Sequence, residues 1–378
     1  MTHLLLTPGP TPIPPAVVAA EAQPLPHHRS PEFKIVLARV LAGLQRVYRT
    51  ERDVILFSSS GTAAVESAFA NLLSPGDRIL VVTAGNFGDR WVKMGEAYRA
   101  DVEVLGFAWG TRPDPEAVAA RVNGRDDLAA VFVVHSETST GATADVQAIA
   151  ELTRDRSACL VVDAISSLGA TPLQTDAWGL DVVVTGSQKA LMTPPGLAFA
   201  SVSERARERA RNATNPRFSL DWERALAAQA KGQTPFTPAI SLVLALDAAL
   251  AIIEADGLEA RFERTLRLGR GVRAAMAALG LELFSPDRDD CSLVTAALWP
   301  GGVDGEAVRR RLRDRHGITV AGGQGDLAGR ILRIGSFGAI EAGDIVRGLA
   351  ALEIELLEAG HAVELGAGVG AFSRAHAT

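Results

Sequence analysis

Short apolar runs alternate with helical patterns through the middle of the chain, and this alternation limits the fold more than any other feature. The apolar runs lack polar alternation, which is typical of strands buried on both faces of a parallel sheet covered by helices. The sequence therefore predicts an α/β domain. Predicted strands span residues 54–57, 79–82, 102–107, 129–134, 159–162, 181–184 and 197–202, and predicted helices span 33–50, 61–73, 86–99, 114–122, 144–155, 239–256 and 258–279.

The rest of the chain predicts a smaller α+β unit and two irregular ends. Strands are expected at 293–299, 318–321 and 331–334, with helices at 305–315 and 341–358. Residues 1–32 include eight prolines, which exclude an interior helix or a central strand. The last segment is rich in glycine and alanine, which is typical of a frayed tail. The expected units are an extended segment over 1–32, a large domain over 33–259, a small domain over 260–360 and a flexible tail over 361–378.

Composition excludes several classes of protein. Among 378 residues, 47% are hydrophobic and 22% are charged, which excludes wholesale disorder. The net charge of −6 argues against a nucleic-acid binder. No apolar run reaches the roughly 18 residues that cross a bilayer, and the N-terminus lacks the basic region of a signal peptide. We therefore expect a cytoplasmic protein with neither a nucleic-acid nor a membrane partner. Cys159 and Cys291 are far apart, which favours buried thiols over a metal site.

Lysine is rare in this chain. Of 38 basic residues, four are lysines and the other 34 are arginines. Lys189 follows an apolar strand directly, at the edge of the sheet where ligands of α/β proteins bind. A lysine that is retained there invites a chemical explanation, because arginine cannot form a Schiff base. A loop surface lysine and a phosphate-binding lysine remain alternatives.

Three further segments carry polar groups that suit a charged ligand. Asp163 ends a buried strand, where a carboxylate needs a positive partner or else caps the following turn. Residues 58–62 (SSSGT) link a strand to a helix, as in phosphate sites, although serine and threonine are also common helix caps. Arg333 lies in a strand-like run and could bind a carboxylate or face solvent at a sheet edge. Together with Lys189, these groups are those that pyridoxal phosphate and an amino acid require.

The chain resembles the class V, fold-type I pyridoxal-phosphate aminotransferases, in the alanine–glyoxylate and serine–glyoxylate (serine–pyruvate) group. The resemblance runs from Thr7-Pro8-Gly9-Pro10-Thr11 to Leu332-Arg333-Ile334-Gly335. Its most specific motif is GSQKAL at 186–191 followed by PPG at 194–196. HSETSTG at 135–141 and VDAISSLG at 162–169 also match. The resemblance implies a mostly parallel seven-stranded sheet in the large domain, pyridoxal phosphate as cofactor, no metal, and a homodimer with active sites at the subunit interface.

The resemblance also implies a role for individual residues. Lys189 would form the Schiff base with the cofactor, and Asp163 would face the pyridine nitrogen. Ser60, Gly61, Thr62 and Gln188 would bind the phosphate, Thr138 would lie beside the ring oxygen, and Phe87 would stack on the ring. Arg333 and the backbone of Gly9 would bind the substrate, and Thr237 would reach the phosphate of the partner subunit. Whether Gln233 or Thr234 also contributes there, and what His27 and His28 do, stay open.

The function expected on this basis is transfer of an amino group from alanine or serine to glyoxylate or pyruvate by a ping-pong mechanism. The alternatives are ureidoglycine–glyoxylate transamination, a lyase or desulfurase reaction on the same scaffold, and a non-catalytic descendant that serves as a subunit. A desulfurase needs a mobile, reactive thiol. Neither Cys159, in a predicted strand, nor Cys291, in an apolar stretch, fits that need.

Overall fold

The computed structural model describes residues 3–285 and 293–377. Cys291 lies outside these ranges. Within them, no helix combines the length and the apolar character needed to span a bilayer. The elements up to residue 202 are β1 (Leu4–Leu5), α1 (Pro15–Glu21), α2 (Pro31–Tyr48), β2 (Val54–Phe57), α3 (Gly61–Leu72), β3 (Arg78–Thr83), α4 (Asn86–Ala97), β4 (Asp101–Gly106), α5 (Pro115–Val122), β5 (Leu128–Val134), β6 (Ser136–Glu137), β7 (Ala142–Thr143), α6 (Val146–Thr153), β8 (Cys159–Asp163), β9 (Val182–Gly186) and β10 (Ala198–Val202).

The second part of the chain is mainly helical. Four helices follow β10, and the chain then forms a small sheet that is flanked by helices. Its elements are α7 (Glu204–Asn212), α8 (Trp222–Gln229), α9 (Ile240–Asp256), α10 (Leu258–Ala278), β11 (Val294–Leu298), α11 (Gly305–His316), β12 (Ile318–Thr319), β13 (Ala321–Gly322), β14 (Ile331–Gly335), α12 (Ala342–Glu358) and α13 (Ala367–His376).

A seven-stranded sheet confirms the α/β prediction. Its order is β2-β10-β9-β8-β5-β3-β4, and only β10 runs antiparallel to its neighbours. Strands β5, β8 and β9 are buried along their whole length, as the apolar runs without alternation predict. Successive residues face opposite layers: Val131 and Val133 pack in one hydrophobic cluster and Phe132 in the other.

The topology brings the functional segments to one edge of the sheet. Strands β2, β3, β5, β8 and β9 point the same way, so the segments that follow them meet at their carboxyl ends. Ser60 and Gly61 follow β2, Asp163 ends β8, and Lys189 follows β9. This arrangement places residues that are far apart in sequence around one opening.

The small unit has a three-stranded antiparallel sheet in the order β11-β14-β13. Its hydrophobic cluster includes Leu4 and Leu6 from the N-terminal segment. Strand β1 pairs in parallel with β12, so that Leu4 lies opposite Ile318. The N-terminal segment therefore crosses the small unit before it reaches the edge of the large sheet.

Two expectations for the chain ends are wrong. The segment over 1–32, expected to be extended, contains the short helix α1. This helix begins with Pro15 at its first position, where the missing N–H costs no helical hydrogen bond. The expected flexible tail over 361–378 contains helix α13. Its Phe372 is 1% exposed and packs in the cluster of the small unit. One buried aromatic side chain anchors a segment whose glycine and alanine content indicated fraying.

Candidate active site

A cavity of about 340 Å³ opens at the carboxyl edge of the large sheet. It brings together residues from the N-terminal segment, the start of α3, helix α4, the turn after β5, the end of β8 and the loop after β9. Such convergence of polar groups in one concave site is typical of a ligand-binding pocket. The sequence-predicted residues in its lining are Gly9, Ser60, Gly61, Thr62, Phe87, Thr138, Asp163, Gln188 and Lys189.

The N-terminal segment fixes Lys189. The Lys189 Nζ donates a hydrogen bond of 2.6 Å to the carbonyl of Pro8, which belongs to that segment. Thr11 holds the lysine backbone, because its hydroxyl donates to the Lys189 carbonyl at 2.8 Å and its N–H donates to the Gln188 carbonyl at 3.1 Å. Burial lowers the pKa of Lys189 to about 8, although the charge of Asp163 raises it. A substantial fraction of this amine is therefore neutral near physiological pH.

Gly9 makes room for that lysine. A Cβ at this position would lie 2.5–2.6 Å from the last side-chain atoms of Lys189, and the backbone φ of +139° also favours glycine. The structure thus gives a physical reason for the glycine in the predicted substrate-side segment.

Asp163 is 6% exposed at the end of β8. Its Oδ1 accepts a hydrogen bond of 2.9 Å from the Ile165 N–H. Burial raises the pKa of Asp163 to about 7, and the charge of Glu137 adds to this, while the Ile165 hydrogen bond and Lys189 oppose it. A cationic group opposite this carboxylate would lower its pKa again. A protonated pyridine nitrogen fits that requirement.

The start of α3 suits a phosphate. Its N-cap residue Ser60 makes no capping hydrogen bond through its side chain, and Ser60, Gly61 and Thr62 all line the cavity. The Gln188 Oε1 is buried without a hydrogen-bond partner among the described residues. A Cβ on Gly186 would lie 3.0 Å from that oxygen and 3.3 Å from the Gly61 nitrogen. These groups form a narrow polar cup that fits the phosphate of pyridoxal phosphate.

Arg333 lies beside the cavity rather than in its lining. It is 6% exposed on β14, where its Nε donates to the Gly322 carbonyl at 2.7 Å and its Nη1 donates to the Thr138 carbonyl at 2.5 Å. Burial lowers the pKa of Arg333 to about 10, which still leaves the side chain protonated at neutral pH. The two carbonyls hold the guanidinium in a fixed orientation beside the cavity.

Thr237 is exposed and lies outside this cavity. It lines a separate groove together with Ser58, Ser59 and Phe236. Thr234 is buried and donates to the Phe236 carbonyl at 2.7 Å. The rings of His27 and His28 lie 4.6 Å apart, away from the cavity lining. None of these residues reaches the cavity of its own chain.

Sequence reasoning missed several lining residues. Arg90 is one helical turn beyond Phe87, and its Cζ lies 4.8 Å from the centroid of the Phe87 ring. Helical i, i+3 spacing is a usable signal for this pair, but among 34 arginines nothing marks Arg90 in advance. The other residues in the lining are Pro10, Trp91, Val134, Ser136, Ile165, Ser166 and Pro195.

Cys159 is a free, buried cysteine in β8, as the sequence predicts. Burial raises the pKa of its thiol to about 12, so it is protonated and unreactive at neutral pH. Across the described ranges, no group of three or more histidine, cysteine, aspartate or glutamate side chains is arranged to hold a metal ion.

Comparison with known proteins places this geometry in a family. The family model for class V aminotransferases matches residues 3–331. A protein from Anabaena cylindrica named soluble hydrogenase 42 kDa subunit is 42% identical, over 98% of this chain and 98% of its own length. Serine–glyoxylate aminotransferase from Methylorubrum extorquens is 34% identical, over 98% of this chain and 94% of its own length.

A solved structure shows the same fold over the full length. The crystal structure of ureidoglycine–glyoxylate aminotransferase from Bacillus subtilis matches with a TM-score of 0.93 at 29% identity, over 100% of this chain and 99% of that one. Sequence, fold and the lining of the cavity agree. The chain therefore belongs to the class V aminotransferases and is a pyridoxal-phosphate-dependent enzyme.

Proposed function

We propose that this aminotransferase moves an amino group from alanine or serine to glyoxylate or pyruvate by a ping-pong mechanism. The observation that carries the proposal is the shared cavity of Lys189, Asp163 and the N-terminus of α3. The similarity to serine–glyoxylate and ureidoglycine–glyoxylate aminotransferases supports glyoxylate as the acceptor.

The bound cofactor supplies an aldehyde for the amino group and a ring that accepts electrons. Lys189 would hold this cofactor through its Nζ when no amino donor is bound. With its lowered pKa, the Lys189 Nζ would act as the base that removes the α-proton of the substrate and as the acid that later gives this proton back. Asp163 would hold the ring nitrogen, and its negative charge would favour the protonated form of that nitrogen.

Substrate orientation depends on Arg333 and the N-terminal segment. The guanidinium nitrogen Nη2 would bind the substrate carboxylate from beside the cavity, and Gly9 lines the cavity itself. Because one carboxylate site serves the amino donor and the keto-acid acceptor in turn, the first product leaves before the second substrate binds. This sequence of events defines ping-pong kinetics.

We further propose a homodimer in which Thr237 completes the phosphate site of the partner subunit. Support comes from its position, exposed in a groove outside its own cavity. The aromatic rings of Phe218 and Phe236 lie 5.5 Å apart and are 64% and 41% exposed beside it. An exposed aromatic pair is typical of a surface that packs against another subunit.

A panel of amino donors with glyoxylate or pyruvate tests this function. Serine or alanine with glyoxylate is expected to give the highest kcat/KM, with parallel lines in double-reciprocal plots. Lys189→Ala is the control, because it removes the proton-transferring amine and should lower kcat by at least about 100-fold. Efficient turnover of aspartate would contradict the small-donor proposal and point to Arg90 as a second carboxylate site.

Ureidoglycine is a second candidate donor, favoured by the close structural match to the ureidoglycine enzyme. The same panel distinguishes it from serine and alanine. Desulfurase activity is disfavoured by the buried Cys159 thiol, and release of sulfide from cysteine would contradict that conclusion. Failure of every donor to convert the bound cofactor to its amine form would favour a non-catalytic subunit instead.

A further inference from the structure

Helix α4 begins at the cavity without a cap of its own. Its N-cap residue, Gly85, has no side chain, and the first N–H groups of a helix need acceptors from elsewhere. Two side chains of the turn after β5 supply them. The Asn86 N–H donates to Ser139 Oγ at 3.0 Å, and the N–H groups of Phe87 and Gly88 donate to Glu137 Oε2 at 3.0 and 3.1 Å.

The other carboxylate oxygen of Glu137 is also occupied. Its Oε1 accepts from the Ser139 N–H at 3.1 Å and from the Ser139 hydroxyl. The Glu137 side chain takes the space beside Gly85, where a Cβ would lie 2.5 Å from its Cγ and 2.6 Å from its Cδ. Glu137 is 3% exposed, so its four hydrogen bonds are shielded from water. A buried carboxylate with this set of donors is a rigid support.

We propose that Glu137 is a positioning residue that sets the Phe87 ring against the cofactor. The inference rests on the proposed contact of Phe87 with the cofactor ring. Glu137 itself does not line the cavity, whereas Phe87 on α4 and Thr138 next to Glu137 do. The Thr138 carbonyl also accepts from Arg333. One turn thus fixes the stacking ring, the residue beside the ring oxygen and the arginine for the substrate.

A carboxylate is required for this role. Its two oxygens accept four hydrogen bonds, and its negative charge suits the positive end of α4. Glutamine has nearly the same shape but only one accepting oxygen. Its NH₂ group would face backbone N–H groups, which cannot accept a hydrogen bond. In Glu137→Gln, either the N–H groups of Phe87 and Gly88 or the N–H group of Ser139 therefore lose their acceptor, and the Phe87 ring loses its fixed position.

A double-mutant cycle on cofactor binding tests this inference without measuring turnover. Apoenzyme of the wild type, Phe87→Ala, Glu137→Gln and the double variant is titrated with pyridoxal phosphate, and the visible dichroism of the bound cofactor is recorded. We expect each single variant to raise the dissociation constant roughly two- to tenfold and to reduce the dichroism. The double variant should bind no more weakly than Phe87→Ala, because Glu137 acts through that ring. Glu116→Gln, an exposed carboxylate in the first turn of α5, is the matched control and should leave both readouts unchanged.

The other outcomes contradict either the contact of Phe87 with the cofactor or the positioning role of Glu137. If Phe87→Ala binds pyridoxal phosphate as tightly as the wild type, the proposed ring contact is wrong. If Phe87→Ala weakens binding but Glu137→Gln does not, or if the two effects multiply, Glu137 is not a positioning residue for Phe87. Should Glu137→Gln fail to fold, Ser139→Ala replaces it in the cycle, because it removes the acceptor of the Asn86 N–H and one donor to Glu137. Additivity of Ser139→Ala with Phe87→Ala would equally overturn the inference.

Discussion

Burial and the charge of Arg333 lower the pKa of the Lys189 amine, whereas the charges of Asp163 and Glu137 raise it. Burial has the largest effect and lowers the pKa to about 8 from the ordinary 10.5. We predict that acetic anhydride labels Lys189 of the apoenzyme with a half-maximal rate near pH 8, because only the neutral amine reacts. Mass spectrometry of the peptide that contains Lys189, over a range of pH, measures this midpoint.

Asp163→Asn supplies the control for that measurement. The charge of Asp163 raises the pKa of Lys189, so its removal should move the labelling midpoint to lower pH. A midpoint near 10.5 in the wild type would show that water reaches the amine freely and would contradict the buried site.

Gly9→Ala should disrupt the site through contact rather than through folding. The added Cβ would lie 2.5–2.6 Å from the Lys189 side chain and displace the amine. We expect kcat/KM to fall by at least about 100-fold, because displacements near 1 Å cost that much in catalysis. Gly76→Ala is the matched control, since Gly76 also has a positive φ, of +90°, but no atom within 4 Å of its Cβ position. It should lower the free energy of unfolding by about 1 kcal/mol and leave turnover unchanged. Equal activity of Gly9→Ala and wild type would contradict the described packing.

Residues at strand ends were predictable, whereas residues that act across the fold were not. Asp163 ends a buried strand and Lys189 follows another, and a parallel sheet brings such ends together. Glu137 stands inside a recognised motif, but its acceptor role depends on Phe87 and Gly88, which lie about 50 positions earlier in the chain. No local pattern connects a capping carboxylate to a helix that far away.

In helix α13, a buried carboxylate acts together with Phe372 to order the end of the chain. Glu353 is 2% exposed on α12 and accepts hydrogen bonds from the N–H groups of Gly366, Gly368 and Val369 at 2.6, 2.8 and 3.1 Å. The last helix thus receives its N-terminal cap from the helix before it, as α4 receives its cap from the turn after β5.

We predict that Glu353→Gln loosens this helix. Loss of the charged acceptor should lower the free energy of unfolding by about 1–3 kcal/mol and increase hydrogen exchange of the amides at 366–369. Urea denaturation and hydrogen-exchange mass spectrometry measure the two effects. Glu364→Gln is the control: it changes an exposed carboxylate nearby and should alter neither the free energy of unfolding nor the hydrogen exchange of these amides. Unchanged exchange in Glu353→Gln would show that Phe372 alone holds the helix.

Helices with little apolar surface were the elements hardest to predict. Helix α7 buries only Ala206 and Ala210, and α8 buries Trp222 and Ala225, so neither presents a long apolar stripe. The same limit explains α13, whose buried residues are Gly368 and Phe372. The strands of the large sheet were predictable because burial on both faces leaves continuous apolar runs.

Lys189, Asp163 and the start of α3 line one cavity of the chain, whereas Thr237 is exposed in a separate groove. If Thr237 completes the site of the partner subunit, two inactive variants should regain activity when one chain of each forms a mixed dimer. Lys189→Ala inactivates the site of the chain that carries it. Thr237→Glu inactivates the site of the partner subunit, because it places a carboxylate against the phosphate there. A mixed dimer then has one intact cavity, formed by the Lys189 of one chain and the Thr237 of the other.

Random mixing makes half of the dimers mixed, so we expect recovery of about a quarter of the wild-type activity when the two variants are co-expressed. The matched control pairs Lys189→Ala with Asp163→Asn. Both substitutions damage the cavity of the chain that carries them, so no mixed dimer has an intact site and no activity should return. Differential tags measure the fraction of mixed dimers, and light scattering measures the assembly. Mixed dimers that form but stay inactive in the Thr237→Glu pairing would contradict a shared site, and a monomer at every concentration would contradict the dimer itself.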